Sequence, residues 1–405
     1  MYIRRALEDI VLQSSQSFSA LIVSGPRQVG KTTMLRKLAD EKRNYVSLDD
    51  PLVRTLAVED PSLFLARYSP PVIIDEIQYA PQLLPHIKMH IDEHPRPGDF
   101  WLTGSQMFHM MKNVSESLAG RIAVIQMFGF SQSEMDRVPS FPFQCNHEVL
   151  LERMKICKSK SLTELYEHIY KGSMPAAHLP GFNHDLFYGS YISTYLQRDI
   201  RDLTQVGDEL AFLRFVTACA ARTAQMVNYA DLARDVGISE PTAKKWLSVL
   251  VSSGIIELIQ PYFNNILKRA IKTPKMYFAD TGLCAYLTRW DSAKTLEVSA
   301  MSGAFFETYA VSEILKSYHN AGKRPAVYYY RDTDGKEIDL LIDNNGTLYP
   351  IEIKRSMNPG KDALKHFSVL DKPTGKYRGE GAVICLYKDV IPLDVSNWLV
   401  PVWLI

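Results

Sequence analysis

Residues 25–32 read Gly25-Pro26-Arg27-Gln28-Val29-Gly30-Lys31-Thr32, a G-x-x-x-x-G-K-T run. The apolar stretch Leu21-Ile22-Val23 precedes it, and Thr33-Met34-Leu35-Arg36-Lys37-Leu38 after it reads as a helix. Strand, glycine loop and helix in that order commit this part of the chain to an α/β layer and to one kind of chemistry. Glycines let the backbone curl until its N–H groups converge on phosphate oxygens, and the helix adds the positive end of its dipole. Lys31 would reach the β- and γ-phosphates, and the Thr32 hydroxyl would ligate Mg²⁺. Residues Gly25 to Thr33 are the expected loop for ATP with Mg²⁺. The plainer alternative is a chance match, against which the flanks argue.

A second run supports the first. Val72-Ile73-Ile74-Asp75-Glu76 is an apolar strand ending in two acids. Adjacent carboxylates at the end of a buried strand are costly unless a cation or a water chain uses them. Asp75 fits the Mg²⁺ partner, and Glu76 fits the base that orients the attacking water. Leu102-Thr103-Gly104-Ser105 closes another apolar run. If that strand lies between the other two, Ser105 or Thr103 sits near the γ-phosphate; otherwise it is a polar turn. Arg121 precedes the last apolar run. It would supply transition-state charge in cis or from a neighbouring subunit, or it is a solvated surface arginine.

Strands are expected over residues 21–24, 45–48, 72–74, 100–103 and 123–127, alternating with helices, which predicts a mostly parallel sheet covered on both faces. The chain has 405 residues, room for two or three domains, with 46% apolar and 22% charged residues, as in ordinary globular proteins. Net charge is +1, so nucleic-acid contact would need local basic patches. Five widely spaced cysteines, Cys145, Cys157, Cys219, Cys284 and Cys385, make neither a disulfide framework nor a zinc ribbon. No apolar secretory segment and no run of about 20 apolar residues is present, so a cytoplasmic protein without membrane contact is expected.

Four segments separate: 1–135, 136–205, 206–290 and 291–405. The second is interrupted by Pro139, Pro142, Pro175 and Pro180, with helices expected over 162–171 and 186–203. In the third, a short helix ends at Gly237, Ser239 is a natural N-cap and Pro241 belongs to the next first turn. Val236, Ile238, Trp246, Leu247 and Leu250 would supply a core, and the strand-like run 254–259 follows. This is a helix-turn-helix pattern with a following wing. Lys268, Arg269, Lys272 and Lys275 would lie on or near that wing. Thr242, Lys244 and Lys245 would face nucleic acid, or form a solvated face on a protein–protein module.

The last segment reads as a helix over 305–318 and strands over 327–331, 336–342 and 348–353. Side chains alternate along a strand, so Asp339 points away from Ile338, Leu340 and Ile342, and Glu352 and Lys354 point away from Ile351 and Ile353. A hairpin would gather Asp339, Glu352 and Lys354 on one face. Glu307 heads the apolar stripe Ala310, Val311, Ile314 and Leu315, an awkward place for a carboxylate without a partner. Asp339 and Glu352 would hold Mg²⁺, Lys354 would position or activate water, and Glu307 would stand behind them. The alternative is a buried ion-pair network.

Taken together, the chain resembles a family of bacterial and archaeal AAA-type ATPases whose C-terminal half is a domain of unknown function. The resemblance rests on the Gly25–Thr33 run, Asp75-Glu76-Ile77-Gln78, Leu102-Thr103-Gly104-Ser105 and Ser117-Leu118-Ala119-Gly120-Arg121. It continues through Tyr195-Leu196-Gln197-Arg198-Asp199-Ile200 and Pro274-Lys275-Met276-Tyr277-Phe278-Ala279-Asp280-Thr281-Gly282-Leu283. Glu307, Asp339 and Glu352-Ile353-Lys354 resemble the PD-(D/E)XK nuclease signature. The resemblance implies an α/β fold: an AAA-type P-loop domain at 1–135, a helical linker at 136–205, a winged helix at 206–290 and a restriction-endonuclease-like α/β domain at 291–405. Gly172-Ser173-Met174-Pro175 departs from it, since relatives often carry a second glycine there. Two functions compete: an ATPase that processes DNA, or a nucleotide-dependent switch whose nuclease-like domain only binds a nucleic acid or protein. A metabolic kinase leaves the last two segments unexplained. ATP is the expected ligand; DNA and further copies of the chain are candidate partners.

Overall fold

Five apolar runs pair side by side in one parallel sheet: β1 (Ala20–Ser24), β2 (Asn44–Ser47), β3 (Val72–Asp75), β4 (Phe100–Gly104) and β5 (Ile122–Gln126). Their order is β2-β3-β4-β1-β5, and every pairing is parallel. β1, β3 and β4 are buried along their whole length, as uninterrupted apolar strands in a parallel sheet must be. Ile22, Val46, Ile74 and Leu102 form a core with Phe64 of the helix Pro61–Arg67 and Leu83, Leu84 and Ile87 of the helix Leu83–Glu93. Each such side chain contributes about 1.5–3 kcal/mol by burial. Asp50 and Asp60, each followed by proline, cap the helices Pro51–Glu59 and Pro61–Arg67 through the N–H groups of Leu52 at 2.8 Å and Leu63 at 2.9 Å. β4 lies between β3 and β1, so the three strands that carry motif residues end side by side.

The computed structural model describes residues 2–105, 117–195, 208–262, 273–371 and 376–405. The helix expected over 186–203 is described as His184–Tyr195. Its remainder, including the quoted residues 196–200, lies outside the described residues, as do Lys268, Arg269 and Lys272. Two compact units form: Met1–Phe130 with Ser252–Gly254 and His319–Lys323, and Ser131–Val251 with Ile255–Tyr318 and Arg324–Ile405.

The described residues of the second unit form ten strands. They are β6 (Gln225–Met226), β7 (Ile256–Pro261), β8 (Lys275–Phe278), β9 (Val327–Arg331), β10 (Glu337–Asn344), β11 (Thr347–Ile353), β12 (Tyr377–Arg378), β13 (Gly381–Cys385), β14 (Ile391–Pro392) and β15 (Asn397–Pro401). Nine run in the order β14-β15-β13-β11-β10-β9-β7-β8-β6, with β12 beside β11. β7 pairs with both β8 and β9, so compactness does not separate the segments 136–205, 206–290 and 291–405 from one another. The helices Tyr229–Val236 and Glu240–Ser252 turn at Gly237, whose φ of 81° suits a residue without a Cβ. Trp246 meets the rings of Phe212 at 5.1 Å and Phe215 at 5.6 Å, which fixes the second helix on the helix Glu209–Ala220.

Asn345 and Gly346, with φ of 50° and 83°, make the two-residue turn between β10 and β11. Two left-handed residues match the twist of the strands and fix their register. Asp280 is structural. Its carboxylate accepts from Ser173 N–H at 2.6 Å, the Ser173 hydroxyl at 2.8 Å, the Tyr188 hydroxyl at 2.8 Å and Leu283 N–H at 2.7 Å. These bonds fix the loop after Gly172, where the sequence departs from the resembling family, and cap the helix Thr281–Leu287.

Candidate functional site

In the first unit the glycine loop joins the C-terminal end of β1 to the helix Lys31–Leu38. Gly25 has φ of 148°, and a Cβ there would lie 2.0 Å from the Met127 carbonyl oxygen, so no side chain fits. Gly30 is left-handed at φ 94° and starts the helix. Lys31 is 6% exposed, and its ammonium donates to the carbonyls of Gly25 at 3.0 Å and Pro26 at 2.9 Å. The charge is thus held over the loop that the backbone curls around.

Asp75 closes the site from β3. The Thr32 hydroxyl donates to Asp75 Oδ1 at 2.6 Å, the Thr103 hydroxyl donates to the same oxygen at 2.5 Å, and the Tyr45 hydroxyl donates to Oδ2 at 3.2 Å. Three hydroxyls satisfy a carboxylate that is only 6% exposed, which burial otherwise penalises. Burial first, and Asp75 second, push the Tyr45 hydroxyl above its ordinary value. Thr32 and Asp75 are the residues able to hold Mg²⁺ here.

Glu76 adopts a left-handed backbone at φ 59°, a conformation that costs a residue with a side chain about 1–3 kcal/mol and tends to persist at functional sites. Its N–H donates to the Thr103 hydroxyl at 3.0 Å. The Gln78 amide donates to Glu76 Oε2 and, at 3.1 Å, to the Ser105 hydroxyl, which itself lies 3.3 Å from Glu76 Oε2. The strand order therefore brings Ser105, at the end of β4, beside Glu76.

Arg121 stands elsewhere. It precedes β5, whereas the glycine loop follows β1, and the two strands are parallel with Ala20 beside Ile122. The edges of the sheet are about 15 Å apart at 3.3 Å per residue. Arg121 makes a two-point pair with Asp92, at 2.5 Å and 3.2 Å, on the far edge. The expectation of a charge supplied in cis is corrected: the arginine does not reach its own loop.

Arg5 was missed in the sequence. It is 3% exposed, and its guanidinium donates to the carbonyls of Val29 at 2.9 Å, Phe128 at 2.8 Å and Gly129 at 3.3 Å while lying over the Phe130 ring. It ties the glycine loop to the chain that leaves β5.

In the second unit a different cluster forms. Leu340 pairs with Ile351 across the hairpin, which sets Asp339 opposite Glu352. Both are 8% exposed. Asp339 Oδ2 accepts Ile353 N–H at 2.8 Å, and the Lys354 ammonium donates to Glu352 Oε1 at 2.6 Å. Glu307, on the helix Ser302–His319, accepts the Tyr277 hydroxyl at 2.7 Å and the Lys275 ammonium at 3.1 Å. Lys275 also lies 2.7 Å from Glu337 Oε1 and 3.7 Å from Asp339 Oδ1. Glu337 pairs in turn with Arg331 at 2.8 Å. The four residues expected here come together, with Lys275, Tyr277 and Glu337 added.

Charge crowding follows. Burial and then Asp339 push the carboxyls of Glu307 and Glu352 up to about 7. Burial alone would lower the Lys275 ammonium, but Tyr277, Glu307, Asp339 and Glu337 outweigh it and hold it well above its ordinary value. Lys354 is likewise held up, against burial, by Glu352. Lys275, expected on or near a wing, opens β8, the strand paired antiparallel with β7 after the two helices, where it is 4% exposed and turned toward these acids.

Among the described residues no three His, Cys, Asp or Glu side chains form a ready-made metal cage. Asp339 and Glu352, opposite each other on the hairpin, are the two acids here that could share a hard divalent ion. A groove of about 690 Å³ opens beside the cluster. Lys275, Arg331 and Glu337 line one side; Tyr229, Glu240 and Lys244, from the two helices that turn at Gly237, line the other. Lys244 and Lys245 are exposed.

The glycine loop on a five-stranded parallel sheet, with Asp75 and Glu76 beside it, defines a P-loop domain, and residues 17–136 match the family model described as an AAA domain. The N-terminal part of the chain is thus similar to AAA domains. Residues 162–294 and 302–405 match two models each described as a domain of unknown function, DUF8612 and DUF4143. Uncharacterized proteins of Mycobacterium tuberculosis and Mycobacterium bovis are each 28% identical over 353 residues, 87% of this chain and 74% of theirs. Among solved structures, a Walker-type ATPase of Pyrococcus abyssi is similar at 15% identity and a TM-score of 0.45, over 71% of this chain and 96% of that one. No described helix is long and apolar enough to cross a membrane.

Proposed function

We propose that this chain is a Mg²⁺-dependent ATPase that acts on DNA through a winged helix at 206–290 and a nuclease-like domain at 291–405. The observation that carries the ATPase reading is the convergence of Lys31, Thr32, Asp75, Glu76 and Ser105 at the ends of three neighbouring strands. Lys31 and the loop N–H groups bind the phosphates. Thr32 and Asp75 would hold Mg²⁺, which would offset phosphate charge. Glu76 accepts a proton from water, while Gln78 and Ser105 orient its carboxylate. In steady-state phosphate release, Lys31→Ala is expected to lose turnover and nucleotide binding together; turnover that survives sinks the assignment.

Support for action on DNA comes from Asp339, Glu352 and Lys354 on one face of a hairpin, beside a groove whose other wall is the helix pair. In this reading Asp339 and Glu352 would hold a divalent metal, which would supply positive charge to a scissile phosphodiester, and Lys354 positions water. The test is nicking of supercoiled plasmid with Mn²⁺, with and without ATP. Cleavage lost in Asp339→Ala supports the reading; no cleavage by the wild type, or none lost in the variant, contradicts it. One observation favours the switch instead: Glu307 is already engaged by Lys275 and Tyr277, so the acids also read as a settled ion-pair network. Tight, ATP-timed partner binding without cleavage would mark that function.

A further inference from the structure

We propose that Lys275 is a built-in cation that takes the place of a second metal ion, so that the acid centre of the second unit holds a single divalent ion, between Asp339 and Glu352. The inference rests on the metal reading of those two residues and concerns how many ions the centre accepts.

Four carboxylates gather here, Glu307, Glu337, Asp339 and Glu352. Asp339 and Glu352 are buried and Glu307 and Glu337 half-buried, a concentration of negative charge that calls for more than one cation. The Lys275 ammonium, however, stands among three of them, at 3.1 Å from Glu307, 2.7 Å from Glu337 and 3.7 Å from Asp339. It is no loose surface group: the side chain is 5% exposed, and β8 is paired through β7 to the rest of the sheet. Tyr277, two residues along the same strand and on the same face, donates to the same Glu307 oxygen that accepts from Lys275. The Glu307 side of the cluster is thus neutralised by a fixed positive charge and a hydroxyl, and a dication there would sit against an ammonium it cannot displace. Asp339 and Glu352 differ. They face each other across the hairpin; Asp339 is the most distant of the three acids from Lys275, at 3.7 Å, and the nearer partners of the pair are a backbone N–H and the 45% exposed Lys354.

Lys275 is a positioning residue in this account: it touches neither metal nor substrate. It holds Glu307 turned inward through their 3.1 Å contact, and it lines the groove beside the cluster. A compact ammonium does this without the coordination demands of a metal, so half of the centre stays assembled at any metal concentration.

The test counts Mn²⁺ bound to the full chain in the absence of nucleotide, by calorimetry and by loss of the free-ion electron paramagnetic resonance signal. One ion per wild-type chain is expected. Lys275→Met should bind two, the second lost again in Lys275→Met/Glu307→Gln, and Lys275→Arg should bind one. Should Lys275→Met fold poorly by circular dichroism, Lys275→Gln, which keeps a hydrogen-bond donor without the charge, is counted in its place: two ions support the role and one overturns it. Two ions in the wild type, or one in a folded Lys275→Met, would overturn the role of Lys275 alone. No Mn²⁺ in any variant, or binding unchanged in Asp339→Ala, would overturn the metal reading beneath it.

Discussion

Thr32 and Asp75, far apart in the chain, are joined by a 2.6 Å hydrogen bond from hydroxyl to carboxylate. One residue opens the helix after β1 and the other ends β3. Their meeting needs β4 to lie between those strands, so that Thr103 also reaches the same carboxylate oxygen. This contact aligns the loop and the acid strand as one phosphate site.

Glu76 separates binding from turnover. Glu76→Gln keeps the shape and the partner Gln78 but loses the base. Phosphate release is expected to fall about 10²–10⁴-fold, with ATP affinity within a few-fold of the wild type. Equilibrium binding of a fluorescent ATP analogue beside a phosphate assay checks both. A parallel fall in affinity would contradict the role.

Arg5 anchors the loop from outside the motif. Arg5→Ala leaves the Val29 and Phe128 carbonyls without their guanidinium, and a buried group left unsatisfied costs about 1–3 kcal/mol. A lowered urea midpoint for the first unit is expected, together with weaker ATP binding. Arg5→Lys should recover part of the stability, since one ammonium cannot span both carbonyls as a planar fork does. Unchanged stability in Arg5→Ala would contradict the anchoring.

Much of this site was legible because its chemistry lies in contiguous runs. Eight residues from Gly25 to Thr32 state loop, helix start, lysine and hydroxyl without reference to the rest of the fold. The facing of Asp339 and Glu352 was legible from strand alternation alone; the Asn345-Gly346 turn of the same hairpin went unread. Lys275 was not legible. It closes a basic stretch that includes Lys268, Arg269 and Lys272, and only the pairing of β8 with β7, and of β7 with β9, turns it toward the acids. Arg5 shows no local pattern either, since its partners are backbone carbonyls brought near by the sheet. Arg121 was open to a better reading: a residue before a parallel strand lies on the edge opposite to a residue after one.

Gly25→Ala tests the fit of the loop itself. The added methyl would meet the Met127 carbonyl at 2.0 Å, in backbone where only glycine rests easily. ATP binding is expected to weaken by more than about tenfold, a loss of at least 1.4 kcal/mol, with the helical content of the chain retained. Wild-type affinity in this variant would show that the loop conformation is not the one described.

The acids of the second unit should leave a signature in pH dependence. Glu307 and Glu352 have carboxyls pushed from 4.5 to about 7, so folding favours their protonated forms. The stability they contribute is whole below about pH 4.5 and is lost as pH rises through 7. Each contributes on the order of 1–3 kcal/mol, and the two are not additive because Asp339 acts on both. Urea unfolding in EDTA at pH 5 and pH 8 should show a larger loss on going to pH 8 in the wild type than in Glu307→Gln/Glu352→Gln. An equal or smaller loss in the wild type would contradict the crowding.

The most direct measurement is calorimetric titration of the purified, folded chain with ATP and Mg²⁺, beside Lys31→Ala. One nucleotide per wild-type chain and none in the variant is the expected result. No heat of binding in the wild type, or the same binding in Lys31→Ala, would contradict a triphosphate held by the Gly25–Thr33 loop.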